Sequence, residues 1–516
     1  ANIAAGAMML NLTGSAMTTL DKSAVDAMGS TVRGGVTLLR NANGINLTGY
    51  TGGTLKTETD AATEKNISVH KTGSKITDIR YEGWQFAGVT SAVSDGVDAY
   101  GGISKAGNTT HDNVITVNGS YTNVYGGHTS GAGTTALADR RGNSTKNSVT
   151  ITGGTIGTVY GGFTDVANGK ATRNEVTVDK AIAGSVVGGK ARGEASGNIV
   201  TVKANTGAVT GGEGAITNNN TVNLEGASVN GTITGGTQAD GTGNTLNVKG
   251  QNAAQNIVGF QKVAFKDAAS KLKLTDTGTF NLDTLATNFD ATANPVTLVE
   301  SGNALKLAGG KAFKSELNAD GTQETDLDVR GGKKIVRYAY TFAGAKAATT
   351  VGSDTWGGRS AAGNTTMNNE ITLAGGSYTN VYGGRTTGTG SQAAADKCGN
   401  SISNKVTVNG TAAVRGIVYG GYTDVTGGRA TGNEVTIEKA TVGSVVGGYG
   451  TTASGNVINL TDATVSGSVT GGRGTITNDN IINLRNATVK GMVTGGTANG
   501  TGNTLAVYYG TATTSI

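Results

Sequence analysis

Acidic and imidazole side chains are the first candidates for chemistry in this 516-residue chain, because hydrolysis of a glycosidic bond needs two carboxyls converging on it. The acids that recur between matching segments are Asp139 with Asp396, Asp165 with Asp424 and Glu175 with Glu434. Each stands apart from any other acid in the sequence, which favours a solvated or structural role over a catalytic pair. His111 aligns with Met367 and His128 with Arg385, so the matching segments share no histidine. No G-x-x-x-x-G-K-(S/T) is present and no GxGxxG opens a helix, so the glycine-rich turns are not phosphate cradles. The Gly-Gly-x-Gly-x-Asp calcium repeat is absent as well. Gln238-Ala239-Asp240-Gly241 approaches it loosely, and its counterpart Ala498-Asn499-Gly500 lacks the acid. The expectation is no catalytic, cofactor-binding or metal-ligating set, and no enzyme; a polysaccharide-active β-helix enzyme is the alternative kept last.

The residue before each Gly-Gly pair is the strongest candidate for contact with a ligand or another protomer. Along the chain it reads Tyr100, Tyr125, Tyr160, Val187, Thr210 and Thr234, then Trp356, Tyr382, Tyr419, Val446, Thr470 and Thr494. Lying next to an inward Val, it is expected to face outward and to give a row of flat rings for stacking on sugars or on a neighbouring protomer; lateral stacking between repeats is the simpler reading. A second row, Thr116, Thr150, Thr177 and Thr201 continued by Asn223 and Asn247, raises ice binding as a formal alternative. One Thr per strand and the change to Asn argue against it. The longest insertion, near 128–146 and 385–403, carries Asp-Arg-Arg or Asp-Lys-Cys and is expected to be a surface loop suited to ligand contact. Cys398 aligns with Arg141 and reads as an isolated thiol.

The elements that must position these residues follow from composition. Glycine is 86 of the 516 residues, whereas Pro and Cys occur once each and charged residues are only 15%. There is no Gly-X-Y period, which excludes collagen, and the regular Val, Ile and Leu patterns exclude disorder. The net charge of +5 is spread without a basic stripe, so no nucleic-acid partner is expected. No apolar run approaches the roughly 18 residues of a spanning helix. The single Cys excludes a disulfide framework but suits an exported chain that avoids thiols. Ala1 opens the chain without the charged and apolar regions of a signal peptide, so any such leader is expected to be removed or to lie upstream.

Two periods are nested in the sequence. NTTHDNVITVNGSYTNVYGG at 108–127 recurs at 364–384, GFTDVANGKATRNEVTV at 162–178 recurs at 421–437, and LNLTGSAMTTLD at 10–21 is answered by LKLTDTGTFNLD at 272–283. The chain is thus two tandem homologous units of roughly 260 residues. The expected divisions are an irregular segment 1–98 and regular repeats 99–250 in the first unit, then an irregular segment 251–355 and regular repeats 356–516 in the second. Inside each unit the motif Asn-x-Φ-(Thr/Asn/Ala)-Φ recurs, with Φ an aliphatic residue. Its Asn positions are 113, 147, 174, 198, 220 and 244, then 369, 404, 433, 456, 480 and 503, mostly 22 to 29 residues apart.

That spacing is the size of one rung of a parallel β-helix. In Asn174-Glu175-Val176-Thr177-Val178 the two valines fall on one face, so each repeat supplies a half-buried strand that needs the repeats above and below to cover it. The twelve asparagines, Asn113, Asn147, Asn174, Asn198, Asn220, Asn244, Asn369, Asn404, Asn433, Asn456, Asn480 and Asn503, read as structural corners that tolerate a left-handed backbone and stack their amides into a ladder. Gly-Gly reads as the other corner. Roughly 20 rungs at about 4.8 Å give an expected rod on the order of 100 Å, with the irregular segments as less regular rungs and insertions.

The alternation of N-x-V-T-V strands with V-Y-G-G turns, with NIVGFQKVAF at 256–265, resembles the passenger regions of Gram-negative autotransporter adhesins. The resemblance implies an all-β, right-handed parallel β-helix (β-solenoid) displayed outside the outer membrane. It implies an extracellular structural and adhesive protein on the bacterial cell surface, whose partner is a glycan or protein of a host or neighbouring cell. The alternative is a self-assembling fibre or surface-layer subunit. No membrane-spanning element is expected in this segment and no cofactor. The family's C-terminal membrane barrel has no counterpart here.

Overall fold

The computed structural model describes residues 2–3, 10–12, 17–21, 29–30, 34–51, 56–59, 62–131, 142–180, 182–287, 289, 295–318, 321–351, 353–388, 398–498, 500–509 and 511–512. Two compact units emerge. Unit 1 comprises Ala1–Asp290, Thr297–Ala312 and Arg330–Ile335; unit 2 comprises Ala291–Val296, Phe313–Val329 and Val336–Ile516. Each contains a parallel β-solenoid.

In unit 1 one coil runs through Ala99–Ser104, Thr110–His111 and Val114–Asn118, and the next through Tyr121–Thr129, Ser144–Thr145 and Ser148–Gly153. Each strand pairs in parallel with its equivalent one coil on, so three sheets grow together. On one face Ile115 pairs with Val149, Val149 with Val176, Val176 with Val200 and Val200 with Val222. The period-2 alternation turns this column inward, and all five side chains are buried. The long-strand face supplies a second inward column, Val124, Val159, Val186, Val209 and Ile233. Unit 2 repeats the plan, with Ile371, Val406, Val435, Ile458 and Ile482 in the first column and Val381, Val418, Val445 and Val469 in the second.

The recurrent Asn closes this core at its polar edge. Asn113 Nδ2 donates to Asn147 Oδ1 at 2.6 Å, Asn147 to Asn174 at 2.9 Å, Asn174 to Asn198 at 3.1 Å, Asn198 to Asn220 at 3.1 Å and Asn220 to Asn244 at 3.2 Å. Unit 2 carries the same chain from Asn369 through Asn404, Asn433, Asn456 and Asn480 to Asn503, at 2.7 to 3.0 Å. Each Oδ1 after the first also accepts the backbone N–H of the preceding ladder Asn, as Asn198 Oδ1 does from Asn174 at 3.0 Å, while Asn113 and Asn369 accept from the backbone N–H of Val89 and Ala345. The other Nδ2 hydrogen reaches a carbonyl, such as Ala171 O from Asn198 at 3.0 Å. Two donors and two acceptor positions per amide are thereby used in a site that is nearly water-free.

Two corner assignments need correction. The left-handed backbone belongs to the residue before each ladder Asn: Asp112, Lys146, Arg173, Gly197, Asn219 and Gly243 in unit 1, and Asn368, Ser403, Gly432, Gly455, Asp479 and Gly502 in unit 2. The ladder Asn itself starts or adjoins an extended strand, because its amide can stack only if the turn is completed one residue earlier. The Gly-Gly pairs lie inside long strands and not at turns. Their requirement is space: a Cβ on Gly127 would stand 2.5 Å from Asn147 Nδ2 and 2.5 Å from Thr110 Oγ1. Asn and Gly-Gly are therefore two halves of one packing unit.

The irregular segments divide into two kinds. Within 34–85, Gly34–Thr48 and Thr63–Thr72 both pair antiparallel with Lys75–Gln85, and Phe313–Leu317 pairs antiparallel with Gln323–Arg330. These are hairpins, which is why the coils number about 17 and fall short of the roughly 20 expected. Residues from 251, read in the sequence as the start of the second unit, continue the unit 1 solenoid in parallel through Gln251–Val258, Lys262–Phe265 and Lys271–Leu274.

Replacing Asn174 by Ala removes the acceptor of the Asn147 amide and backbone N–H, and the donor to Asn198 Oδ1 and Ser144 O, inside a buried ladder. The expected cost is about 3 kcal/mol, from about 1–3 kcal/mol per stranded group. Asn174→Asp is expected to be no better, since a carboxylate cannot donate to Asn198. Chemical denaturation of both variants checks this.

Candidate functional site

The residue before each Gly-Gly does form a continuous row. Tyr100 pairs in register with Tyr125, and Tyr125 with Tyr160; in unit 2 Trp356 pairs with Tyr382, and Tyr382 with Tyr419. Parallel, in-register coils set ring over ring. Tyr100 and Tyr125 stack at 5.4 Å between centroids, Tyr125 and Tyr160 at 5.1 Å, and Tyr382 and Tyr419 at 5.0 Å, all within 7° of parallel. The first ring is closed by an edge contact, Trp84 on Tyr100 and Tyr340 on Trp356.

A second row roofs the first. Ile103, His128 and Phe163 lie in register in unit 1, and Arg359, Arg385, Tyr422 and Tyr449 in unit 2. His128 stacks on Tyr125 at 4.6 Å and Phe163 meets Tyr160 edge-on at 5.3 Å. The Arg359 guanidinium lies 4.3 Å from the Tyr340 ring centre and 4.5 Å from that of Trp356; Arg385 lies over Tyr382 and pairs with Asp354 at 3.1 Å. The expectation of exposed flat rings is therefore corrected. Tyr100, Tyr125, Trp356, Tyr382 and Tyr419 retain 2 to 8% exposure, and Tyr160 is half-buried. Their faces are used on one another, since coil spacing matches ring stacking. Burial, with Asp98 contributing, pushes the Tyr125 phenol up to about 12; burial likewise takes Tyr382 to about 12. Burial pulls the His128 imidazole down to about 4, so it is neutral in the stack.

Sequence reasoning missed a pair of acids. Glu64 and Glu324 are fully buried. Glu64 accepts from Ser104 Oγ at 2.6 Å, from the backbone N–H of Lys105 at 3.0 Å and Ala106 at 3.1 Å, and from Asn108 Nδ2 at 2.9 Å. Glu324 holds Ser360 Oγ at 2.8 Å, the Ala361 N–H at 2.8 Å and Asn364 Nδ2 at 2.5 Å. Each carboxylate pins the turn that leaves its coil's long strand through charge-assisted hydrogen bonds. The matching segments ISKAGN at 103–108 and RSAAGN at 359–364, each with an acid upstream, are the signal that could have revealed them.

Asp326 lies two residues beyond Glu324 on the same strand and is 1% exposed. Burial first, and the neighbouring Glu324 next, raise its carboxyl well above the usual carboxylate range. Both carboxyls of this pair lie beneath the surface.

The other candidates disperse. Asp165, Asp424 and Glu175 are exposed, and Glu434 joins Lys405 at 3.5 Å. His111 pairs with its neighbour Asp112. The Thr row forms, with Thr116, Thr150, Thr177, Thr201, Asn223 and Asn247 in register. Its Asn end is cross-linked by Asn223 Nδ2 to Thr201 Oγ1 at 3.0 Å and Asn247 Nδ2 to Asn223 Oδ1 at 2.8 Å. Asp139, Arg140, Arg141, Asp396 and Lys397 of the insertion lie outside the described residues; Cys398 is half-buried. Among the described residues no cluster of three or more His, Cys, Asp or Glu could hold a metal ion, and no helix is long and apolar enough to cross a membrane.

Two pH dependences follow. The His128 imidazole titrates lower in the folded chain than its unfolded value of about 6.5. The unfolded state takes the proton first, and stability falls as pH drops from about 6.5 to about 4. Melting temperatures of His128→Phe are expected to show a weaker decline over that window. Asp326 titrates higher in the folded chain, so its contribution is complete at low pH and is lost as pH rises above its unfolded value of about 4. Asp326→Asn, which installs the residue that unit 1 carries at Asn66, is expected to raise stability at pH 7 and to flatten that slope. Comparison with family models, with curated proteins and with solved structures returned no match.

Proposed function

We propose that this chain is an extracellular structural and adhesive protein of a bacterial cell surface, of the autotransporter-passenger kind, and that it is not an enzyme. It binds a glycan or protein of a host or neighbouring cell. One observation supports this reading: the side chains repeated from coil to coil are those that satisfy their own counterparts. The ladder amides bond to amides, the inner valines cover valines, and the tyrosines stack on tyrosines. Such residues build a scaffold and leave recognition to what interrupts the repeat.

With the rings buried, attachment passes to the inserted segments 132–141 and 389–397, whose sequences place charge within an otherwise weakly charged repeat. The test replaces both segments with short Gly-Ser linkers and measures binding of the purified chain to cells and to immobilised glycans. Wild-type chain is expected to bind, and the exchanged chain to lose affinity by roughly tenfold or more with its melting temperature unchanged. Undiminished binding would sink the assignment to the insertions. Release of oligosaccharides from a polysaccharide panel would sink the non-enzymatic reading.

A further inference from the structure

The outer row that covers the tyrosine stack differs in charge between the two units. In unit 1 it reads Ile103, His128, Phe163, Lys190 and Glu213. In unit 2 the same strand positions hold Arg359, Arg385, Tyr422, Tyr449 and Arg473. Burial keeps the unit 1 imidazole neutral, and Lys190 is neutralised within the row, its Nζ lying 2.7 Å from Glu213 Oε1. Unit 2 has three guanidiniums and no acid at these positions. Asp354, on the strand of Arg359, answers one of them, through Arg385 Nη1 at 3.1 Å.

The charge is least balanced at Arg359. Its guanidinium touches the Tyr340 and Trp356 rings, but among the described residues its N–H groups make no hydrogen bond and no ion pair. Its in-register neighbour is Arg385, so two like charges stand on adjacent coils, about 4.8 Å of backbone apart. Both side chains are half-buried, and the buried Nε–H of each lacks an acceptor. Burial first, with Arg385 adding to it, pulls the Arg359 guanidinium below its ordinary value; Asp326 opposes this from a distance without pairing. A guanidinium has only donors to offer, set in a rigid planar fork, and it keeps its charge at any ordinary pH. Its complement is an oxyanion whose oxygens accept from more than one fork at once.

We infer that Arg359 and Arg385 form an oxyanion site on the outer face of unit 2, which takes a carboxylate or sulfate group bridging the two guanidiniums. Unit 1 lacks this site, because Ile103 and His128 stand in place of the two arginines. The donor row continues beyond Arg385. Tyr422 and Tyr449 stack at 4.7 Å and Arg473 lies 5.5 Å over Tyr449, which sets a third guanidinium three coils from Arg385. An acidic glycan laid along the coils reaches Arg473 as well, whereas a free anion does not. The inference rests on this row alone and holds whatever the inserted segments bind.

Isothermal titration calorimetry of the full chain at low ionic strength tests it. The probes are sodium sulfate and an oligosaccharide containing uronic acid, with an uncharged oligosaccharide of equal length as reference. Both charged probes are expected to bind and the uncharged one is not. Arg359→Ile together with Arg385→His gives unit 2 the residues that unit 1 carries at these positions, so the coils are expected to fold, with the melting temperature as the check. Affinity for the charged probes is expected to fall by roughly tenfold or more. Arg359→Lys, which keeps the charge and loses the fork, is expected to fall part of the way. Lys190→Ala removes a cation that is already neutralised and is expected to change nothing. Arg473→Ala separates the two sources of the oxyanion: it weakens the oligosaccharide alone if the ligand is a glycan, and neither probe if the ligand is a free anion. Failure of both charged probes to bind the wild-type chain would overturn the site. So would undiminished affinity in the folded double variant and in Arg359→Lys, or an equal loss in Lys190→Ala.

Discussion

The buried amide ladder is the constraint on which the rest of this structure depends. A side-chain amide has two donors and two acceptor positions, and burying it is tolerable only when they are matched. Here the match for each Asn is the next Asn, one coil on, so the spacing, parallel direction and register of every coil are fixed together. A slip of one residue would strand the amide and turn the inner valines outward. The glycine pairs follow from the same requirement, because the amide occupies the space that a Cβ on Gly127 or its equivalents would take. So does the left-handed residue before each Asn, which finishes the turn before the amide begins.

In-register stacking then determines what the outer face can do. A tyrosine placed once per coil does not stay an isolated exposed ring; it meets the tyrosine of the next coil at 5.0 to 5.4 Å. The rings become a second, external apolar cluster, separate from the aliphatic core, and the residue three positions later becomes its roof. The two units use different roofs. Unit 1 places neutral His128 and Phe163 there, whereas unit 2 places Arg359, Arg385 and Tyr422. The same architecture therefore accepts an uncharged cover or a cationic one, provided that its planar face lies against a ring.

Much of the scaffold was legible in the sequence because its rules are periodic. The alternation in Asn174–Val178, the recurrence of Asn and the duplication near 260 residues sufficed for a parallel solenoid with an amide ladder. Lateral stacking of the tyrosines was legible as the simpler of two readings; the depth of their burial was not, because it depends on a roof residue, such as His128 against Arg385, that the repeats do not share. Glu64 and Glu324 escaped for a related reason: each occurs once per unit, outside the regular coils, and its partners lie some 40 residues downstream. The hairpins of 34–85 alternate as solenoid strands do, and alternation reports strand but not direction of pairing.

The ladder also has a direction. In both units every ladder Nδ2 before the last donates toward the higher-numbered Asn, from Asn113 to Asn244 and from Asn369 to Asn503. A coil that has just folded therefore presents an unfilled donor to the chain that follows it, and the next Asn arrives only 22 to 35 residues later. Contacts never span more than about one coil, so the loop-closure entropy for adding a coil does not grow with the number already in place. A solenoid built in this way can form by successive addition from its N-terminal side, each coil completing the hydrogen bonds of its predecessor and exposing the template for its successor.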